Sequence, residues 1–529
     1  MTTQSLSSSP TPLQPPPPEA PPVTPAPPVE RIAVHNPATG EVIGSVPVMD
    51  AAEVHALVAR ARVAQKAWGA LTVEQRCTRL APVKALLVDR LDDFAEAITR
   101  ENGKTIQEAY AMELTVALEL LRVYLRRAPK VLRPHRLPRR IVSFNRGAYL
   151  HWVPKGVVGI ISPWNFPFSI PFGEVVFSLL AGNAVVLKPS EITPLIALKT
   201  RELFVDAGLD PELFHVATGR GATGAALMDA PVNHVCFTGS VATGRRVGEA
   251  CGRALIPCTL ELGGKAPALV LNDANIERAS HALLWGAFGN HGQVCASVER
   301  VYADERIYPQ LKDKIVERAK KLTWGDPLTN DVGACTFPPQ MDKIRALLQD
   351  AKDKGAVFET GGIPEPGARA MAPTVLTNVN HQMRIMHEES FGPVLPIMSV
   401  KTEQEAIEHA NDSDLGLLAY VFTTDGERGR QIAEQVQAGT VMINDVLASF
   451  SHVDTPWQGV KASGIGRTHS DDGLRDMCES RHVNYDVFSL ERELWWYPYT
   501  PTSRKIMRGF NKVLYGNSLW DRIKALLGG

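Results

Sequence analysis

The sequence predicts an α/β protein built on an open, mostly parallel, doubly wound sheet. Two observations carry that expectation. The short β-rich runs "GVVGIIS", "AVVLKPS", "FHVATG" and "HVCFTGS" are each followed by a segment able to form a helix, and strand alternating with helix at this spacing gives parallel βαβ units. Small and polar residues collect where those runs end, at Ser162, Lys188, Gly219, Gly239 and Ser240. The carboxyl ends of the strands are where such sheets bind their ligands.

Taken in order, the chain opens on residues 1–30, rich in proline and free of Lys and Arg. Proline at that density forms neither helix nor ladder and favours an extended, disordered or semi-rigid spacer, with an SH3-like ligand as the alternative. It has no apolar core of signal-peptide length and too little basic character for a transit peptide. From "AAEVHALVARARVAQKAWGAL" to "LRVYLRRAPKVL" apolar residues return every three or four positions, a helical pattern. The strand–helix alternation then follows. No apolar run reaches eighteen residues, so none is read as a membrane span. The far end differs: "ELWWYPYTPTS" leads into "RKIMRGFNKVLYGNSLWDRIKALLGG", where Arg504, Lys505, Arg508, Lys512, Arg522 and Lys524 face only Asp521. Two short basic amphipathic helices are expected there, with Ser518 and Asp521 placed as a cap. They suit a membrane interface through residues 494–529, a groove on a partner subunit, or packing on their own protein.

A length of 529 residues calls for two or three structural units, and 44% apolar with 21% charged residues is a soluble globular mix. A formal net charge of -1 gives no general reason to bind nucleic acid. The seven cysteines (Cys77, Cys236, Cys251, Cys258, Cys295, Cys335 and Cys478) form no CxxC pair. A reducing, cytoplasmic setting is expected, without a disulfide framework. No HExxH or EF-hand loop appears, so no metal is expected.

Two glycine motifs invite a phosphate. Gly219, Gly221 and Gly224 spell GxGxxG, but Gly239 and Ser240 stand where an acid should hold a ribose. "GSVATGRR" has P-loop glycine spacing from Gly239 to Gly244, yet Arg245 and Arg246 replace the Lys and Ser/Thr. Each is a strand-to-helix turn whose free amides suit a phosphate, or plain turn chemistry. Cys295, in "GNHGQVCAS", is flanked by small and bending residues. Alone it reads as a buried thiol or as one presented to a substrate.

Seven motifs then occur in order: "ISPWNFP", "KPSE", "FTGS", "LELGGK", "GQVCAS", "EESFGPV" and "PWQGVKASGIGR". Together they resemble the aldehyde dehydrogenase superfamily over roughly residues 31 to 490, leaving out the head and the basic tail. The nearest subgroup looks like the plant and bacterial carotenoid-dialdehyde dehydrogenases. The resemblance implies a Rossmann-like open parallel sheet domain for the cofactor (31–132 and 154–262) and an α/β catalytic domain (263–475). It also implies a β oligomerisation arm (133–153 and 476–490) making a homodimer or homotetramer, followed by the extension 491–529.

By the same resemblance Cys295 is the nucleophile, Asn165 the oxyanion donor and Glu261 the general base that hydrolyses a thioester. Free thiols titrate near 8.5, so this one needs help to attack near neutrality. Glu261 favours release of the free acid over CoA acylation. NAD is expected rather than NADP, because Lys188 and Glu191 match positions at the adenosine ribose and a carboxylate repels a 2′-phosphate. Ile161, Ser162, Pro163, Trp164, Ser190, Gly221, Phe237, Gly239, Ser240, Gly244 and Leu262 complete the cofactor set, with Glu389 and Phe391 at the nicotinamide ribose. Gly263 and Gly264 leave room for the ring. Lys265, Gly292, Glu388 and Gly464 are read as structural. The presumed funnel residues Trp164, Phe166, Phe168, Phe450 and Trp457 favour an apolar aldehyde. No arginine pair stands ready for the second carboxylate of a semialdehyde. The intact trio argues against a non-catalytic binding protein. The protein is expected in the cytoplasm, peripheral on a membrane's inner face if the tail binds lipid.

Overall fold

The computed structural model describes residues 30–526, so the Pro-rich segment lies outside it apart from Glu30. Around the run "VVGII" the chain builds its first sheet. Val157–Ile161 lies at the centre, flanked on one side by Ala184–Lys188 and then Phe214–Val216, on the other by His234–Thr238 and then Cys258–Glu261, all parallel. These strands are buried along nearly their whole length, which is why they read as unbroken Val, Ile and Leu runs rather than alternating ones. The chain winds outward through the first two neighbours and then jumps back across the centre. The switch therefore falls between the carboxyl ends of Val157–Ile161 and His234–Thr238.

Helices Ser169–Ala181, Leu195–Asp206, Gly221–Asp229 and Val241–Ala254 connect these strands. Ser169–Ala181 stops at Gly182, whose φ of 95° gives the left-handed cap that glycine adopts without strain. The N-terminal helices Ala51–Gly69, Val73–Asp89 and Thr115–Val131 pack on the same core through Val58, Leu80, Leu87, Leu120 and Tyr124.

A second sheet of seven strands follows, in the order Val357–Thr360, Thr374–Thr377, Val394–Val400, Val298–Asp304, Ala266–Val270, Leu418–Phe422, Thr440–Ile443. All are parallel except the first pair. Its faces are covered by Ile276–Phe288, Tyr308–Ala319, Pro339–Asp353 and Glu403–Asn411. Strands Arg146–Pro154, Cys478–Asp486 and His135–Arg136 make a separate antiparallel sheet that falls, but for Pro154, in the spans expected to form an arm.

One departure concerns the span 263–475. Gly464–Ile465 leaves the second sheet's neighbourhood and adds antiparallel to Cys258–Glu261, closing the edge of the first sheet. Val453, Leu474 and Met477 also pack into the first core. The physical reason is the open edge of Cys258–Glu261, whose free N–H and C=O groups need a partner.

Beyond the arm, Pro501–Tyr515 and Leu519–Leu526 are helical, matching the two basic amphipathic segments. Among the described residues no helix is long and apolar enough to cross a membrane.

Candidate active site

Cys295 sits between helix Ile276–Phe288 and strand Val298–Asp304, half-buried, in a loop of unusual backbone. Asn290, His291 and Gly292 take φ of 50°, 57° and 69°, three consecutive residues in the left-handed region. Two of them are not glycine, and such strain persists only where the surroundings fix it. Here the Asn290 N–H donates to Glu108 at 2.7 Å, and His291 Nε2 accepts from the Met371 N–H at 3.1 Å. Burial holds His291 neutral, its pKa pushed down to about 3. At Gly264, an added Cβ would stand 2.2 Å from the Cys295 carbonyl oxygen, so two loops touch there backbone to backbone. Burial, then the carboxylates of Glu389 and Glu261, push the thiol up to about 12, while the N–H groups of Cys295 and Ala296 pull it down.

Asn165 follows strand Val157–Ile161 and is buried beside that loop, its Nδ2 donating to the Gln293 carbonyl at 3.0 Å. Its own carbonyl accepts from Lys104 Nζ at 3.0 Å and Asn290 Nδ2 at 2.9 Å, while Asn102 Nδ2 donates to the Trp164 carbonyl at 2.8 Å. Lys104 in turn pairs with Glu113 at 2.6 Å, both side chains fully buried, and Glu113 accepts from the Ser169 N–H at 2.6 Å. The asparagine is thus held by a segment some sixty residues upstream.

Glu261 ends its strand 5% exposed, and neither carboxylate oxygen has a hydrogen-bond partner. Burial first, and the carboxyl of Glu174 second, push it well above the usual range, while the nearby Trp457 indole, outside hydrogen-bond geometry, pulls the other way. Glu261 and Cys295 line one cavity of about 220 Å³. Its walls are apolar, with Met112, Phe166, Phe177, Trp285, Phe450 and Trp457 prominent. The funnel expectation needs correction at two positions. Trp164 packs on Phe391 at 5.4 Å and Phe337 at 6.0 Å, and Phe168 stacks into the first core on Phe94 and Phe172. Helix Ser169–Ala181 begins one residue after Phe168, which turns that ring inward.

The expected cofactor residues of the first sheet stand at the carboxyl ends of its strands, on both sides of the switch point. Ile161, Ser162, Pro163 and Trp164 leave the central strand, the Ser162 N–H donating to the Lys188 carbonyl at 3.1 Å. Lys188 Nζ lies 3.4 Å from Glu191, while Ser190 Oγ turns the loop by accepting from the Ile192 N–H. Phe237 ends near the next strand's tip, the Gly239 N–H donates to the Glu261 carbonyl, and Ser240 caps helix Val241–Ala254. Gly244 lets that helix press on Leu262, whose Cδ2 would stand 2.4 Å from a Cβ. Gly221 opens its helix onto clear space. Glu389 accepts from the Gly264 N–H at 3.0 Å and is pushed up to about 7 by burial and by Glu299. Phe391 takes a φ of 52°. A helix N-terminus, an unfilled glycine mouth and a carboxylate beside a lysine form a cradle that fits a dinucleotide.

Comparison with known proteins places the chain as a whole. Residues 24–483 match the Aldehyde dehydrogenase family. The chain belongs to the aldehyde dehydrogenase family. A 4,4'-diapolycopene aldehyde oxidase of Methylomonas sp is 39% identical, with 92% of this chain and 91% of the relative covered. A putative NADP(+) succinate-semialdehyde dehydrogenase of Mycolicibacterium smegmatis is 36% identical over 89% and 93%. Among solved structures, the NAD+ complex of the Bacillus cereus aldehyde dehydrogenase superposes with a TM-score of 0.83 at 31% identity, covering 87% and 94%.

Within this aldehyde dehydrogenase, several supports escaped the sequence reading. Asn102, Lys104, Glu108 and Glu113 act from a distant helical stretch, and no local spacing announces them. Lys265, read as structural, pairs fully buried with Glu299 at 2.5 Å, and Glu299 accepts from the Ser390 and Phe391 N–H groups. Glu174 did carry a signal: a lone acid inside "IPFGEVVFSLLAG", a run otherwise fit for a core helix. Outside the site, His381, His387 and Asp412 place ligand atoms within 4.8 Å of one another. Both ring nitrogens of His381 are already engaged, by Asp412 at 2.8 Å and Tyr302 at 2.9 Å.

Proposed function

We propose that this enzyme oxidises an apolar aldehyde to its carboxylic acid through a covalent adduct on Cys295. The observation that carries the reading is that Cys295 and Glu261 line one cavity with aromatic walls, with Asn165 tied to the Cys295 loop. Cys295 attacks the carbonyl carbon, giving a thiohemiacetal whose oxygen gathers charge. The Asn165 amide and the Cys295 N–H are the donors for that oxygen, and such donors act strongly where water is excluded. Lys188, Glu191, Ser240 and Glu389 would hold a dinucleotide, which would supply the acceptor for the two electrons removed. The thioester left on Cys295 is hydrolysed by a water that Glu261 deprotonates. A base raised by burial suits that task, because its proton affinity approaches that of the group it serves.

NAD is the proposed cofactor, since the Glu191 carboxylate beside Lys188 opposes a second phosphate on the ribose. For the substrate, the cavity lining holds no Lys or Arg, which disfavours a semialdehyde, and the likeness to the diapolycopene aldehyde oxidase points the same way. The test is formation of reduced cofactor with a chain-length series of aldehydes, wild type beside Cys295→Ala. Turnover that rises with apolar length and is lost in the variant supports the reading. Equal turnover with short polar semialdehydes counts against it.

The same reading assigns the three-stranded sheet to subunit contact. Strand Cys478–Asp486 is exposed along most of its length, Tyr485 included, with Val487 and Phe488 exposed just past it, and a long uncovered edge calls for a partner. Light scattering should give a dimer or tetramer, and a monomer would refute it. Past this sheet, Glu493 is buried and accepts from Asn145 at 2.7 Å and Arg146 at 3.0 Å, anchoring the extension. Trp495, Trp496, Tyr497, Tyr499 and Trp520 are exposed, as are Arg504, Lys505, Arg508 and Lys512. Aromatic and basic groups so mixed suit an anionic lipid surface. Co-sedimentation with anionic vesicles should fail when residues 494–529 are deleted; unchanged binding, or none in the full chain, overturns that assignment.

A further inference from the structure

The cavity holds a second carboxyl for which hydrolysis, as described, has no use. Glu174 lies mid-way along helix Ser169–Ala181, among Phe172, Val175, Val176 and Phe177, and is 4% exposed. Neither of its oxygens has a partner. Glu261, Thr238 Oγ1 and His469 Nδ1 are unpartnered too, and all four residues line the cavity that holds Cys295. An unpaired carboxyl is costly in an apolar wall, and a helix of this composition would accept leucine there. We propose that Glu174 and Glu261 form one proton-sharing pair, in which Glu174 receives the proton that Glu261 takes from the hydrolytic water.

The proposal rests on Glu261 being the base, and the step balances. A water O–H bond breaks and its proton goes to Glu261. The water oxygen bonds to the thioester carbon, the C–S bond breaks, and its electron pair stays on the Cys295 sulfur. Glu261 then passes the proton to one oxygen of Glu174 while the other oxygen of Glu174 gives the proton it already held to water, with the Thr238 hydroxyl as carrier; Glu261 is again an anion, the pair again holds one proton, and nothing is oxidised or reduced. Two carboxyls in one water-poor cavity do not both ionise, so the pair titrates as a unit. Burial alone pushes Glu174 up to about 8. Across the cavity it faces Glu261 and Cys295, with Cys236 on the adjoining strand and His469, held neutral by burial at about 4, before helix Ser470–Asp476. The charged groups on the other packed elements are engaged elsewhere. Arg127 bonds Asp471, Glu113 bonds Lys104, and Arg76 donates to the Leu180 and Leu71 carbonyls.

Pre-steady-state hydrolysis of an activated aryl ester separates acylation of Cys295, seen as a burst of aryl alcohol, from deacylation, seen as the following steady rate, without dinucleotide. In Glu174→Gln the burst should persist, the steady rate should fall roughly 10- to 100-fold, and its pH profile should lose one ionisation. Glu174→Asp should restore that ionisation and part of the rate. A wild-type steady rate and pH profile in Glu174→Gln overturns the proposal. So does loss of the burst together with the rate, which marks Glu174 as merely structural. Glu261→Gln, run beside it, should show the burst with little turnover; a normal steady rate there removes the base assignment, and the pair with it.

Discussion

Replacing Lys104 by methionine tests whether the site is held from a distance. The side chain has zero exposure, bonds Glu113 at 2.6 Å and the Asn165 carbonyl at 3.0 Å, and lies 4.0 Å from the Phe166 ring centre. Breaking a buried pair by removing one partner costs about 3–5 kcal/mol, because the other charge is stranded. Glu113 would keep the Ser169 and Phe168 N–H groups, which sets the loss near the lower figure, about 3 kcal/mol. At roughly 2–4 °C per kcal/mol for a domain of this size, that lowers the melting temperature by about 6–12 °C. The Asn165 carbonyl would keep Asn290 and lose its cation, so the amide shifts and kcat/KM falls about 10- to 100-fold. Scanning fluorimetry and initial rates read the two effects. A second variant, Lys104→Met with Glu113→Gln, leaves no stranded charge and should regain much of the stability without regaining the rate. A single variant that melts and turns over as wild type refutes the clamp.

Three further outcomes follow from the geometry. Asn165→Ala should lower kcat/KM by about 100-fold or more, as loss of an oxyanion donor does; a loss below fivefold in initial rates would remove the assignment. Glu389→Gln keeps an acceptor for the Gly264 N–H but removes a negative charge that raises the Cys295 thiol. The thiolate then forms at lower pH, and alkylation by iodoacetamide should quicken about 3- to 10-fold at mildly alkaline pH, with its midpoint moved down, not up. Glu191→Ser should narrow the preference for NAD over NADP by about tenfold or more in kcat/KM, since the group repelling a 2′-phosphate is gone.

The first sheet and the strand tips around it were legible because parallel strands buried on both faces leave continuous Val, Ile and Leu runs, and because glycine and serine at Gly239 and Ser240 mark a strand-to-helix turn. Cys295, Glu261 and Asn165 were singled out through ordered motifs, and the fold brings them to neighbouring loops. What the motifs do not contain is the support. Lys104 and Glu113 act across some sixty residues of chain, and a buried ion pair has no periodicity to betray it. Phe168 and Trp164 were assigned to the funnel by size alone, yet the direction of a side chain depends on where a helix starts, and Ser169–Ala181 turns Phe168 inward. The span 263–475 treated sequence neighbours as one unit, whereas the unpaired edge of Cys258–Glu261 draws Gly464–Ile465 across.

That crossing has a consequence for the order in which the protein is made. The strand ending in Glu261 emerges from the ribosome with one edge bare, and the segment that covers it is not synthesised until most of the chain is out. During that interval the nascent sheet offers a row of unpaired amides and carbonyls to any neighbour, the condition under which domains pair wrongly. Every unfinished chain that stops short of Gly464 shares the defect. Completion of the sheet beside Glu261 is therefore among the last events of folding, and a chain broken off early carries Cys295 but not a finished setting for Glu261.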